Sequence, residues 1–429
     1  MALDGVNAVA EAVLSNITAF VPRSLDGRPS PLDHPELRWP QYDADEVHAA
    51  ALVLESGRVN SLVHGEHTRE LEREFAAYCG APHAIAVSNG TTALELALRA
   101  LGVGPGDEVI VPSRSFFATA AAVVAVGATP AFADIDPVSQ TIDAASARSI
   151  VTSRTRAVIC VHLAGWPCEM TELLMLAHDA HLWLIEDCAQ AHGATYDGRR
   201  VGTFGHAAAF SFCTDKIMST GGEGGIVLFQ DHDHWAKAWA FKDHGKNPDK
   251  VLCPVTGHCF RYVHDSFGTN WRMTEMQAAI GVQQLAKLPR WLDQRRRNAE
   301  ALMTYLQDEP CVELPHIPSH AGHAFYRLYV TIARACLGPE GNTNRLIERM
   351  IEMGMPVSSG SCADMSRETA FDDMVVRRAD GLRIAAEIGR RTIAFPVDHL
   401  LDESDMRRMA NCLRIALAEA HVVTMEIVQ

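Results

Sequence analysis

The chain has 429 residues, 48% of them hydrophobic, and a formal net charge of -15. That length and apolar content support a sizeable core and argue against disorder. The acidic balance, without any long basic run, argues against a sequence-independent nucleic-acid binder, which needs a positive face.

The N-terminal residues Met1-Ala-Leu-Asp-Gly5 lack a basic stretch followed by an apolar one, so no signal peptide is expected. The eleven cysteines are scattered without a C-x-x-C pair. Cys160, Cys188 and Cys213 lie in apolar runs, and the expectation is reduced, buried thiols in a cytoplasmic protein. Residues 115–133 carry no charge, but Gly127 and Pro130 divide them into a helix and a strand rather than a membrane span.

Residues 1–44, with Pro22, Pro29, Pro31, Pro35 and Pro40, read as an N-terminal arm. Helical spacing covers Asp45 to Leu54 and His67 to Tyr78, around a loop at Ser56 to Ser61. From residue 83 strands and helices alternate: strand His83 to Val87, turn Ser88 to Thr92, helix Ala93 to Leu101, strand Glu108 to Val111, a helix from about Ser115, and strand Thr129 to Ala133. Strand Arg156 to Val161, helix Glu169 to His178 and strand His181 to Ile185 continue the pattern. Such alternation predicts right-handed crossovers and a mainly parallel sheet with helices on both faces. Ligands sit at the carboxyl ends of such strands, where the polar clusters Ser88–Thr92, Ser113–Phe117, His162 and Glu186–Gln190 fall.

Asp231-His-Asp-His234 opens a helix at Trp235 to Phe241 and reads as an acidic cap. Cys253, His258, Cys259 and His264 match no zinc spacing, and no metal site is expected. Met273 to Leu288 and Leu292 to Leu306 predict two helices. A second unit then follows, with strands Tyr326 to Val330 and Met355 to Ser358 and helices Asn344 to Glu352 and Ser404 to Ala418. The predicted organisation is an arm (1–44), a large domain (45–290) and a small α+β domain (291–429).

The chain's chemistry centres on Ser211-Phe-Cys-Thr-Asp-Lys216-Ile-Met-Ser-Thr-Gly-Gly-Glu-Gly-Gly225, between the apolar runs Ala207–Phe210 and Ile226–Phe229. A lysine between buried segments is costly to desolvate. A depressed pKa or a covalent bond to a carbonyl relieves that cost. Upstream, Ser88-Asn-Gly-Thr-Thr opens a helix straight after a strand, which suits either a phosphate or an ordinary cap. Asp187 ends a buried strand, as an N-cap or as a carboxylate facing a protonated ring nitrogen. A phosphate cradle, then a strand-end Asp, then a Lys is the order expected for pyridoxal phosphate held as a Schiff base. No G-x-G-x-x-G follows the first strand, which argues against a nicotinamide dehydrogenase.

Six blocks together resemble the DegT/DnrJ/StrS family of pyridoxal-phosphate-dependent sugar aminotransferases: Ser88 to Leu94, Gly104 to Pro112, Glu186 to Gly193, Ser211 to Gly225, Gly268 to Ala279 and His323 to Tyr329. The resemblance implies an α/β fold, the type I (aspartate aminotransferase-like) fold of pyridoxal-phosphate-dependent transferases. It implies that Lys216 forms the internal aldimine and shuttles a proton, and that Asp187 keeps the pyridine nitrogen protonated. Gln190 would bond the cofactor's phenolic oxygen and Phe116 would stack on its ring. Gly90, Thr91 and Ser211 would bind its phosphate. Asn270 would reach the phosphate of a second subunit, making a homodimer with shared sites. His162 and His192 fit either the pocket or a satisfied core. Lysine rather than histidine at 216 favours transamination over sugar dehydration. The implied reaction carries an amine from an amino acid, usually glutamate, to a keto-sugar, typically a nucleotide-linked 3- or 4-keto-hexose. Cyclitol amination, aminohydroxybenzoate synthesis and a regulatory protein without turnover are the alternatives. Arg58, Lys242, Lys246 and Arg327 are basic candidates for an anionic substrate, against a reading as solvated surface charges.

Overall fold

The computed structural model describes residues 32–34, 38–252, 262–338 and 340–427. Most of the expected arm, together with Cys253, His258 and Cys259, lies outside them. The principal elements of the first half are α1 (Ala44–Ser56), α2 (Glu66–Cys79), β1 (His83–Val87), α3 (Gly90–Ala100), β2 (Glu108–Pro112), α4 (Ala118–Ala125), β3 (Thr129–Ala133), β4 (Thr155–Val161), α5 (Met170–Asp179), β5 (Trp183–Asp187), β6 (Ala207–Ser211) and β7 (Gly225–Phe229). The second half adds α6 (His232–Lys242), α7 (Glu275–Leu306), β8 (Val312–Glu313), β9 (Leu328–Ile332), α8 (Asn344–Glu352), β10 (Arg377–Arg378), α9 (Arg383–Arg391), β11 (Thr392–Phe395) and α10 (Glu403–Ile427).

Eight strands form one sheet in the order β1-β7-β6-β5-β4-β2-β3-β10. All neighbours are parallel except the two pairs made by β7. The central strands are largely apolar and almost wholly buried, as parallel sheets covered by helices must be. Register then decides what lies together. Val161 pairs with Asp187, Asp187 with Ala209, and both Ser211 and Val87 face Gly225 across β7. The carboxyl ends of β1, β4, β5 and β6 therefore share one edge.

A smaller antiparallel sheet, β8-β9-β11, carries its own core, including Leu328, Val330, Ile393, Phe395, Met406 and Leu413. β10 comes from the same part of the chain yet joins the large sheet beside β3. No helix among the described residues is long and apolar enough to cross a membrane.

Four expectations are corrected. Pro289 does not separate two helices: α7 runs unbroken through it and through position 290. Proline removes one backbone bond and crowds the preceding turn, but Leu285, Leu288, Trp291 and Leu292 are buried on either side and hold the axis continuous. Residues 355–358 make only an isolated bridge from Ser358 to Ala394, not a strand. Cys311 and Cys336 form a disulfide with a Cα–Cα distance of 5.6 Å. The antiparallel register of Val312 with Ile332 brings their flanks together, and a spacing of 25 residues in sequence gave no sign of it. Lys242, read as a surface charge, is buried in an ion pair with Asp243 at 2.7 Å. Asp231 does cap α6, accepting from the Asp233 and His234 amides.

Candidate active site

β6 and β7 form a hairpin whose ladder continues past the strands, with Phe212 N–H to Gly224 O at 2.8 Å and Thr214 N–H to Gly222 O at 3.0 Å. Lys216 sits in this loop with its side chain 13% exposed. The loop is pinned from several sides. The Trp39 indole donates to the Lys216 carbonyl at 2.7 Å, and the Ser219 amide donates to Gln284 Oε1 at 2.7 Å. Tyr42 and Ser219 share a hydroxyl contact at 3.0 Å. Burial pushes the Lys216 amine down, but Tyr326 and Asp215 outweigh it and hold its pKa above the ordinary lysine value. The desolvation cost is thus met by a counter-charge, not by a depressed pKa.

Asp187 ends β5 and is buried. Its Oδ2 accepts from Thr119 Oγ1 at 2.9 Å and its Oδ1 from the Ala189 amide at 3.1 Å. Burial raises its pKa, partly offset by these bonds and by the charge of Lys216. The Gln190 Oε1 accepts from the Ala164 amide at 2.7 Å, which leaves its amide nitrogen as the group free to donate, with Ser361 Oγ at the limit of reach at 3.5 Å.

The Ser88–Thr92 cluster is an α-helix start rather than a free turn. Asn89 and Thr92 form a capping box. The amides of Gly90 and Thr91 donate to no described residue, so the helix offers two free N–H groups and its positive end to an anion. Gly90 is needed for closeness: a Cβ there would lie 2.6 Å from Ser211 Cβ. Ser211 is buried and its hydroxyl accepts from the Cys213 amide at 3.3 Å. Phe116, just before α4, is 64% exposed. A buried acid, a poised lysine, free helix-end amides and an open aromatic face suit a planar group that bears a ring nitrogen and a phosphate.

Two histidines are fully buried beside this set. His162 is fully buried; its Nδ1 accepts from the Cys168 amide at 3.0 Å, so its Nε2 carries the proton and meets Glu186 Oε2 at 3.1 Å. Glu186 is itself saturated by the amides of Gly202, Phe204 and Gly205. His162, Glu186 and Cys188 lie close enough to suggest a metal, but this mutual satisfaction leaves the histidine no lone pair to give. His192 is fully buried against Phe75, Phe210 and Phe212, and neither ring nitrogen makes a hydrogen bond. Asn270 is exposed, on a segment whose Trp271 carbonyl accepts from the Ser88 amide at 2.9 Å. Among the basic candidates, Arg58 pairs with Glu66 at 2.6 Å and Arg327 lies 5.4 Å from the Tyr326 ring. Lys246 lies 3.9 Å from Asp243. Sequence reasoning assigned no role to Thr119, Asp215, Tyr326 or Trp39; Asp215 and Tyr326 lie within the blocks Ser211–Gly225 and His323–Tyr329, but the contacts of all four arise only through the fold.

The profile of the DegT/DnrJ/EryC1/StrS aminotransferase family matches residues 40–414. The chain belongs to this family. A solved aminotransferase from Psychrobacter cryohalolentis is 41% identical with a TM-score of 0.86, covering 90% of this chain and 99% of its own. S. venezuelae DesV, solved in complex with a ketimine intermediate, has a TM-score of 0.77 at 32% identity over 90% and 96% of the two chains. GDP-perosamine synthase of Caulobacter vibrioides is 35% identical over 383 residues, 87% of this chain and 96% of that protein. The family and these neighbours identify the architecture as the α/β fold of pyridoxal-phosphate-dependent aminotransferases and the chain as an enzyme of that class.

Proposed function

We propose that this aminotransferase uses pyridoxal 5'-phosphate to move an amino group from an amino acid, L-glutamate, to a nucleotide-linked 3- or 4-keto-hexose. The observation that carries the reading is Lys216, poised at the strand edge that also holds Asp187, Ser211 and the free amides of α3. When bound, the cofactor supplies an electron sink for the carbanion at the amine-bearing carbon. The protein's part is orientation and proton control. Asp187 holds a proton on the pyridine nitrogen, and Gln190 donates to the phenolic oxygen. Phe116 covers one ring face, and Gly90, Thr91 and Ser211 hold the phosphate. Lys216 would be the residue that holds the cofactor's aldehyde end, and its amine would hold the proton to be moved. Asn270 acts across a homodimer. The likeness to a GDP-perosamine synthase supports a nucleotide-linked sugar as acceptor.

The test is amine transfer by purified protein, supplied with cofactor and glutamate, to a panel of keto-sugar nucleotides, with products read by mass spectrometry. Transfer to one of them, lost in Lys216→Ala, is expected. Transfer only to a cyclitol ketone or an aminohydroxybenzoate precursor would overturn the sugar assignment.

A further inference from the structure

Tyr326 is carried into the site by an unusual amount of backbone bonding. The turn at Ala164 and Gly165 takes positive φ at both residues. Its carbonyls accept from the Ala324 amide at 2.9 Å and the Arg327 amide at 3.3 Å. From the other side, the buried Arg295 donates to the carbonyls of Phe325 and Tyr326, both at 3.3 Å. The phenol so fixed donates to Asp215 Oδ2. The same carboxylate stands 3.4 and 3.5 Å from Lys216 Nζ, which lies 5.2 Å from the Tyr326 ring centroid. The ammonium is thus set between a carboxylate and an aromatic face. Among the described residues Asp215 is the only acid within ion-pair distance of Lys216. The other titratable groups that act on this lysine are Cys213, Asp187 and His192, with Arg327 behind the phenol.

We propose that Asp215, clamped by Tyr326, is a positioning residue that keeps the free Lys216 amine protonated and fixed in the cleft. This rests on Lys216 being the amine that engages the cofactor. An adjacent carboxylate left to itself turns to water: Asp215 is half exposed, and an exposed pair of neighbours contributes little. The Tyr326 hydroxyl removes that freedom. The consequence is directional. The clamp lowers the share of neutral amine available to bond an aldehyde, and it raises the share of ammonium available to hold a proton once the lysine is released.

The readout is Lys216 itself in the cofactor-free, full-length protein. Its acetylation rate by acetic anhydride, followed by peptide mass spectrometry from about pH 6 to about pH 11, gives the midpoint of its titration. Asp215→Asn is expected to lower the midpoint by about one unit or more, Asp215→Glu to restore most of it, and Tyr326→Phe to lower it by less. An unchanged or higher midpoint in Asp215→Asn overturns the proposal. If that variant does not fold, Tyr326→Phe decides by the same reading: a fall supports the clamp and no change overturns it. A separate arm gives wild-type protein pyridoxal phosphate and looks for an absorbance band that Lys216→Ala lacks. No band would overturn the functional assignment; a normal band with an unchanged midpoint would overturn the clamp alone.

Discussion

Thr119 Oγ1 donates to Asp187 Oδ2 at 2.9 Å, deep under the strand edge. Burial pushes the Asp187 carboxyl up, and this bond works against that push. The hydroxyl therefore favours the ionised form, which a protonated ring nitrogen needs opposite it. Thr119→Val keeps the shape and removes the donor. A lost hydrogen bond to a charged group corresponds to about 1.5–3 kcal/mol, so pyridoxal phosphate should bind at least about tenfold more weakly. Equilibrium titration across pH checks it, with the larger loss on the acid side. Unchanged affinity would mean Asp187 does not face the cofactor.

Gly90 offers a steric test of the phosphate cradle. An alanine there would set its Cβ 2.6 Å from Ser211 Cβ and 2.9 Å from its hydroxyl. Overpacking of this kind costs about 1–3 kcal/mol, and here it also parts α3 from β6. Gly104 is the control, because its Cβ would meet nothing nearer than 3.9 Å. Gly90→Ala should lower both melting temperature and cofactor affinity, whereas Gly104→Ala should leave the affinity alone. Equal effects of the two would remove the cradle from the argument.

His192 is neutral in the fold, pushed down to about 3 by burial and by the charges of Lys216 and Arg295. In the unfolded chain it protonates near 6.5. Its contribution is therefore present above that pH and is lost as the pH falls toward the folded value. His192→Leu should flatten the acid limb of thermal stability by about one proton. It should also raise neutral-pH stability by about 1 kcal/mol, since two unpaired buried nitrogens leave with it. Melting curves from acid to neutral pH measure both. Cofactor affinity should stay within about twofold; a large loss would return His192 to the cofactor site.

What could be read from the chain depended on how local the signal was. His83–Val87, Thr129–Ala133 and Asn344–Glu352 have the bounds that apolar runs and helical period indicated. Lys216, Asp187 and the α3 start were legible because each sits in a short block at a strand end. Their environment was not. Tyr326 reaches Asp215 from 111 positions away and Trp39 reaches Lys216 from 177. The two helices expected over Met273–Leu288 and Leu292–Leu306 are one for a related reason, because burial on both sides of Pro289 overrules the local break. His162 and His192 stayed open between pocket and core because polar residues at a strand end face inward as readily as outward, and their contacts with Glu186 and with the phenyl rings arise only in the fold.

The Cys311–Cys336 bond closes a separation of 25 residues across β8 and β9. A loop of that size corresponds to about 3.5 kcal/mol in the chain-entropy account. Cys336→Ser should lower the melting temperature of protein purified without reductant. Wild-type protein with reductant should fall to the same value, and reductant should not move the variant. Peptide mapping before reduction locates the bond, and a wild type indifferent to reductant would count against its contribution.

Asn270 presents a choice between two geometries. It is exposed, yet its neighbour Trp271 bonds the Ser88 amide of the same chain. If it serves a second subunit, each site draws Lys216 from one chain and Asn270 from the other. Lys216→Ala and Asn270→Ala are then each impaired alone, but a mixed dimer carries one site with both residues intact and one with neither. Random re-association of equal amounts makes about half the dimers mixed and should recover about a quarter of wild-type activity. If Asn270 serves its own chain, every mixed dimer holds one site lacking the lysine and one lacking the asparagine, and mixing gives only the average of the two variants. Co-expression with two different affinity tags isolates the mixed dimer, whose turnover per site decides between the two geometries.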